Sequence, residues 1–223
     1  MKMRSKTTIT NISAYALVVG AFVALQLLGS FGALSSSMKG MLVPICAYVV
    51  MALSLNLTVG VLGELSLGHA GFMSVGAFMG VTASVMMEGA VSPDWLRLLL
   101  AMLVGALFAA IAGVLIGIPV LRLNGDYLAI VTLAFGEIIK SIFNNLYLGV
   151  DARGLHVSLL HDKTGIGEDG KLIINGAMGI SNVAPIATFT MGALLIVLTL
   201  AIVFNLVNSR AGRAIMAIRD NSI

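Results

Sequence analysis

The amino-acid sequence predicts an all-α protein, a polytopic bundle of about six transmembrane helices. Of the 223 residues, 59% are hydrophobic and 10% are charged, whereas a soluble domain carries about 25% charged residues. The mean hydropathy is +1.04. The apolar residues also fall into stretches of about 20 residues, the length with which a helix crosses a bilayer. We therefore expect an integral membrane protein.

The six predicted spans are residues 12–28, 41–60, 68–87, 98–121, 127–149 and 186–207. The basic start MKMRSK resembles a signal peptide, but no clean A-x-A site follows it, so an uncleaved first helix is predicted. With a cytoplasmic N-terminus, basic residues are about twofold denser in the inside segments than in the outside ones. An even number of spans then places the N-terminus and residue 223 in the cytoplasm.

The stretch GELSLGHAGF, residues 63–72 and here called the glycine-rich segment, interrupts the apolar pattern between the second and third spans. Glycines loosen the backbone there, and the freed backbone groups need partners in protein or water. Two interpretations stay open. The segment is either a broken helix of the kind that marks a transport route, or a plain cytoplasmic turn with His69 just inside the next helix.

A long polar loop, residues 150–185, follows the fifth span and is predicted to lie outside the cytoplasm. Short strands are expected at Val157–Leu160 and Leu172–Ile174, around a Gly-Glu-Asp-Gly turn. His156 and His161 lie near Asp162, but their spacing matches no known set of metal ligands, so no metal site is predicted.

Small residues recur every four positions in the third and fourth spans. In lipid, helices have no hydrophobic driving force to associate. Close approach of their backbones at small side chains commonly provides the attraction instead. The residues for which helix packing is predicted are Gly76, Gly80, Gly105, Gly113 and Gly117.

Glu137 and Lys140 are three residues apart in the fifth span, and Asn144 continues the same helical face. Charged groups at membrane depth are expensive, which makes them candidates for function. The pair either lines a transport route or forms an ion pair that faces the bundle or the outer headgroups.

The sequence gives no sign of an enzyme or of a nucleic-acid-binding protein. No G-x-x-x-x-G-K-[ST] motif is present to hold a nucleotide phosphate, and no nucleophile elbow surrounds Ser66 and His69. The net charge is only +3, without a dense basic run. No catalytic residue, metal or bound cofactor is predicted for this chain.

Four blocks of sequence resemble, in order, the LivM-type permeases, which are membrane subunits of bacterial branched-chain amino acid ABC importers. The blocks are ALSLNLTVGVLGELSLGHAGFMSVGAFMG, LRLNGDYLAIVTLAFGEIIKSIFNN (121–145), INGAMGIS (174–181) and SRAGRAIMAIRDNSI (209–223). The resemblance runs from about residue 41 to the last residue. It implies a single permease domain over residues 1–223, in a bacterial inner membrane.

The resemblance also implies function and partners. The chain would translocate branched-chain or related small amino acids delivered by an extracytoplasmic solute-binding protein. ATP and Mg would be bound by separate cytoplasmic ATP-binding subunits, and a second, LivH-like permease subunit would complete the pathway. The substrate pathway is expected near Glu64, Ser66, His69, Glu137 and Asn144. Residues 208–223 would lead to the ATPase-coupling helix, with Arg213, Arg219, Asp220 and Asn221 at or near the ATPase docking surface.

Two features depart from this family. The loop carries the extra sequence LHVSLLHDKTGIGEDGK, and the chain stops at Ile223, where family members continue into further spans. The permease domain is therefore expected to be incomplete at its C-terminus. The alternatives are an ABC permease for urea, short amides or sugars, or an ion-coupled secondary transporter, which would show paired broken helices in two halves. A membrane protein with a purely structural role would show the same small-residue rows.

Overall fold

The computed structural model describes residues 2–32, 34–120, 123, 126–151, 154–159, 170–181 and 183–220. Most of them are helical: α1 is Lys2–Ser30, α2 Ser36–Asn56, α3 His69–Met86, α4 Asp94–Val120, α5 Asp126–Asn144, α6 Phe189–Asn208 and α7 Arg210–Asp220. In this part of the chain, six helices are long and apolar enough to cross a membrane. The predicted helical bundle of about six spans is confirmed.

The bounds of the spans differ from the prediction at two places. Helix α1 begins at Lys2, well before the apolar stretch at 12–28. Helix α5 ends at Asn144 and does not run to residue 149. The side chain of Asn145 donates a hydrogen bond to the carbonyl oxygen of Ser141 (2.8 Å), so an amide caps the last turn where the apolar pattern alone continues.

The chain divides into two compact units. Unit 1 consists of Met1–Glu64 and Ala187–Ile223, and unit 2 is the intervening segment Leu65–Ile186. The passage from unit 1 to unit 2 falls inside the glycine-rich segment, between Glu64 and Leu65. Residues 63–68 lie outside regular helix. Whether they lie at membrane depth stays a prediction.

The core of unit 1 lies between α2 and α6. Cys46 on α2 is buried with Ile196 and Leu200 of α6. A Cβ atom built on Gly192 would lie 3.0 Å from the Cys46 Sγ atom, so only glycine fits that position without displacing α2. From α1, the ring of Tyr15 meets that of Phe204 edge to face.

In unit 2, α3 and α4 approach each other at backbone distance. A Cβ atom on Gly105 would lie 2.5 Å from the carbonyl oxygen of Gly76, and one on Gly80 would lie 3.1 Å from that of Ala101. Gly113 and Gly117 differ from these residues, since no described atom lies within 4 Å of a Cβ built on either.

Unit 2 also contains a small antiparallel sheet in the order β2-β1-β3, formed by the segment that follows α5. The strands are β1 Leu146–Asp151, β2 Gly154–Leu159 and β3 Lys171–Asn175. Strands β2 and β3 confirm the two predicted strands, although Leu160, His161 and Asp162 lie outside the described residues. Strand β1 was not predicted because its apolar residues read as the end of the fifth span.

One face of the sheet is anchored on the helices below it. Ile173 and Ile174 of β3 are each only 1% exposed, and they pack in a cluster with Phe143 of α5. The Phe143 ring stacks on that of Phe78 in α3, with centroids 4.1 Å apart. The sheet is therefore an extension of the helical core of unit 2.

Candidate functional site

The second span ends in a π-helix, Leu57–Leu62, and then stops at a glycine. Gly63 has a φ of +81°, a left-handed conformation that glycine adopts without a steric penalty. The backbone N–H groups of Gly63 and Glu64 both donate to the carbonyl oxygen of Thr58. Single π-helical turns within α-helices occur frequently at functional sites.

The C-terminal helix reaches this π-helix through one arginine. The Arg219 Nη1 atom donates a hydrogen bond to the carbonyl oxygen of Gly60, at 3.1 Å. The same side chain crosses over Gly63, where an added Cβ atom would lie 2.7 Å from the Arg219 Cδ atom. Residues 159 positions apart in sequence are therefore in direct contact within unit 1.

The start of α7 is fixed by a compact corner after α6. The Ser209 Oγ atom accepts a hydrogen bond from the backbone N–H of Gly212 (3.1 Å), as an N-cap serine does. The Arg213 Nη1 atom donates to the carbonyl oxygen of Asn208 at 3.0 Å. Gly212 is buried, and a Cβ atom there would lie 2.6 Å from the carbonyl oxygen of Val207. Helix α7 is thus held by side chains at its first turn and at Arg219.

In unit 2, the remainder of the glycine-rich segment packs directly on the backbone of α5. The backbone N–H of Leu67 donates to the Thr132 Oγ1 atom at 3.1 Å. A Cβ atom on Gly68 would lie 2.5 Å from the carbonyl oxygen of Thr132, and one on Gly71 would lie 3.2 Å from the Gly136 Cα atom. Protein groups therefore satisfy part of this irregular backbone, as membrane depth would require.

The predicted pathway residues fall into separate groups. Glu64 belongs to unit 1, whereas Ser66 and His69 are half-buried in the segment that rests on α5. Glu137 and Asn144 lie on a different, exposed face of α5. The segment with Ser66 and His69 thus rests on one face of α5, and Glu137 and Asn144 lie on another. These residues do not line one common pocket.

The exposed face of α5 is a stripe of residues at helical spacing, here called the α5 stripe. Glu137 pairs with Lys140 at 3.3 Å, and the two side chains are 63% and 65% exposed. Ionic groups facing lipid are expensive, so this face is suited to water or to another protein. The α5 stripe consists of Tyr127, Ile130, Ala134, Glu137, Ser141 and Asn144, all exposed in this chain.

The predicted coupling residues do not form one cluster. Arg213 contacts the α6–α7 corner, and Arg219 contacts the π-helix. Asp220 is the last residue of α7, and Asn221 lies outside the described residues. Among the described residues, no three His, Cys, Asp or Glu side chains converge to hold a metal ion.

Sequence reasoning missed Thr132, Gly136 and the carbonyl group of Gly60. The only local signal was a hydroxyl followed four residues later by a glycine in the run AIVTLAFG. That spacing places both on one helical face, where a backbone can approach closely.

Comparison with known proteins agrees with the sequence resemblance. A family model described as branched-chain amino acid transport system, permease component, matches residues 37–223. The chain is similar to the high-affinity branched-chain amino acid transport system permease protein LivM of Escherichia coli (strain K12), 35% identical over 188 residues, covering 79% of this chain and 42% of that protein. The LivM protein of Salmonella typhimurium (strain LT2) matches with the same identity and coverage. The chain thus spans less than half the length of these relatives, and no solved structure matches it.

Proposed function

Because this chain belongs to the family of branched-chain amino acid permease components, we propose that it is the membrane-spanning permease of an ATP-driven importer for branched-chain or related small amino acids. The match over residues 37–223 carries the proposal. With six helices of spanning length among its described residues, the chain is an integral, multi-pass membrane protein. The proposed topology has the N-terminus and α7 in the cytoplasm and the sheet outside, in a bacterial inner membrane.

The proposed solute route runs along the α5 stripe. Branched-chain amino acids are zwitterions with apolar side chains, so a route for them needs a few polar groups among apolar ones. Glu137, Ser141 and Asn144 supply polar groups, and Tyr127 and Ile130 lie further along the same exposed face. A second permease subunit facing this stripe would exclude lipid from it.

The proposed cycle is alternating access. An extracytoplasmic binding protein delivers the amino acid, and two cytoplasmic ATP-binding subunits hold the ATP and Mg. Closure of those subunits displaces α7, which biases the helices between outward-open and inward-open states. ATP and solute shift these populations only as far as they bind the two states with different affinity.

Uptake of labelled leucine tests this function. The gene is expressed together with genes for the proposed partner subunits in cells that lack branched-chain amino acid uptake. We expect ATP-dependent leucine accumulation that excess isoleucine or valine suppresses, and that a Walker A lysine variant of the ATP-binding subunit abolishes. Suppression by urea, acetamide or a sugar in place of isoleucine would reassign the solute. Accumulation that persists in the Walker variant would reject ATP-driven transport.

A further inference from the structure

We propose that Arg219 is a positioning residue that clasps α7 to the π-helical end of the second span, so that displacement of α7 is passed to the glycine-rich segment. The inference rests on the proposed function, since it requires ATP-binding subunits that move α7. It assigns the transmission to one side chain and one carbonyl group, Arg219 and Gly60.

The acceptor is suited to this role by its place in the chain. Gly60 lies in the last turn of the helix, where carbonyl groups have no intrahelical donor and need another partner. Arg219 supplies a charged N–H donor, and hydrogen bonds with an ionised partner are roughly twice as strong as neutral ones. The contact therefore gives a charged donor to a carbonyl group at the end of the helix.

The clasp also needs Gly63. The Arg219 Cγ and Cδ atoms occupy the space where a Cβ atom of residue 63 would stand, at 2.8 and 2.7 Å. Gly63 is the first residue of the glycine-rich segment and has a left-handed backbone. The Arg219 side chain thus packs against Gly63, where the π-helix ends and the irregular segment begins.

Helix α7 is attached at its N-terminal end as well as at Arg219. Its N-terminal end is held by Ser209 and Arg213 at the corner with α6. Its 11 residues extend about 16 Å at the α-helical rise. A push on the exposed surface of α7 therefore acts between a fixed corner and the Arg219 contact.

The experiment measures ATP hydrolysis and leucine transport in the same proteoliposomes, which contain the complete importer and its binding protein. For Arg219→Gln we expect ATP hydrolysis within about twofold of wild type and leucine transport reduced about tenfold. A tenfold effect is typical of the coupling between two sites. More ATP is then consumed per leucine. Arg219→Lys keeps a charged donor without the planar fork and recovers part of the coupling. The control is Arg210→Gln, the same charge change at the start of α7.

A second pair of variants tests the same contact from the other side. Gly63→Ala should uncouple transport as Arg219→Gln does, because the new methyl group displaces the arginine. Gly32→Ala is the matched control: Gly32 also has a positive φ, +73°, but nothing described lies within 4 Å of its Cβ position. It should leave the ratio of ATP to leucine unchanged.

Three outcomes overturn the clasp. The first is full transport in Arg219→Gln at the wild-type ATP-to-leucine ratio, and the second is an equal fractional loss of hydrolysis and transport in that variant, which also leaves the ratio unchanged. The third is loss of assembled importer in both Arg219→Gln and Gly63→Ala. The last outcome would make the contact a requirement for folding. A wild-type complex that hydrolyses ATP without moving leucine rejects the proposed function itself, and the clasp with it.

Discussion

The backbones of α3 and α4 touch at Gly76 and Gly105: a Cβ atom on Gly105 would lie 2.5 Å from the carbonyl oxygen of Gly76. Neither residue has a side chain to hold the helices apart, and Ala109 packs beside them. Close approach of this kind is a main source of helix association in membranes.

Gly105→Ala is therefore expected to destabilise unit 2 by about 1–3 kcal/mol, the usual cost of overpacking. Gly113→Ala on the same helix is the control, since its Cβ position is open and both changes gain the same helix propensity. Thermal denaturation of the purified importer in detergent measures the difference. Equal midpoints for the two variants would contradict the packing argument.

Thr132→Val is expected to loosen the glycine-rich segment. The Thr132 Oγ1 atom accepts the hydrogen bond from the Leu67 N–H, and a typical hydrogen bond contributes about 1 kcal/mol. Hydrogen exchange of residues 65–71 should accelerate by about fivefold, the factor that corresponds to about 1 kcal/mol.

Two variants control for the Thr132 change. Thr132→Ser keeps the acceptor and should exchange at the wild-type rate. Thr82→Val removes a buried hydroxyl that donates to the carbonyl oxygen of Phe78 in its own helix, and it should leave residues 65–71 unchanged. Faster exchange in Thr82→Val as well would show a general loss of stability.

Phe143→Ala should detach the sheet from the helices. The ring is 7% exposed and stacks on Phe78, and truncating a buried phenylalanine costs about 3–5 kcal/mol. Limited proteolysis of the loop that contains β2 and β3 reports the loss. Ile142→Ala, at a neighbouring side chain that is 51% exposed, should be cleaved at the wild-type rate. Unaltered cleavage of Phe143→Ala would show that the sheet is held by other contacts.

The single cysteine gives a direct readout for unit 1. Cys46 is 5% exposed and packs against Gly192, so N-ethylmaleimide should label it slowly in the folded protein. Gly192→Ala should speed labelling, because the added methyl group displaces α2 from α6. Gly40 lies on α2, as Cys46 does, and no described atom is near its Cβ position. Labelling of Gly40→Ala should therefore stay slow. Rapid labelling of the wild type would place Cys46 outside the core.

Glu137→Gln should lower leucine uptake severalfold while barely changing stability. The Glu137–Lys140 pair is exposed, and such pairs contribute about 0–1 kcal/mol, so an effect on uptake would report the solute route. Glu88→Gln is the matched control: Glu88 pairs with Lys171 beyond the end of α3. Equal uptake by the two variants would remove Glu137 from the proposed route.

Hydropathy was sufficient to place the spans, because a bilayer selects helices by length and apolar content. Hydropathy failed at the end of α5: the helix stops at Asn144, the Asn145 amide caps its last turn, and the following apolar residues Leu146 and Leu148 enter a strand. Alternation of apolar residues over so short a run does not separate strand from helix. The predicted strands succeeded because turn residues and polar neighbours set them apart.

The candidate sites were predictable only in part. Glycines at 63 and 68 mark an irregular backbone in the sequence itself. The partner of each glycine is set by tertiary contact, and no local pattern connects Gly60 with Arg219 or Leu67 with Thr132. Such pairings, many residues apart, are decided by which helices pack together.

The division of the chain has a consequence for the order in which the protein is made. Unit 2 is a continuous insertion within unit 1, so α3, α4 and α5 all leave the ribosome before α6. Helix α2 consequently enters the membrane without the partner that later covers Cys46. Unit 1 can complete its fold only after α6 has been synthesised. All of the helices of unit 2 have been synthesised by then.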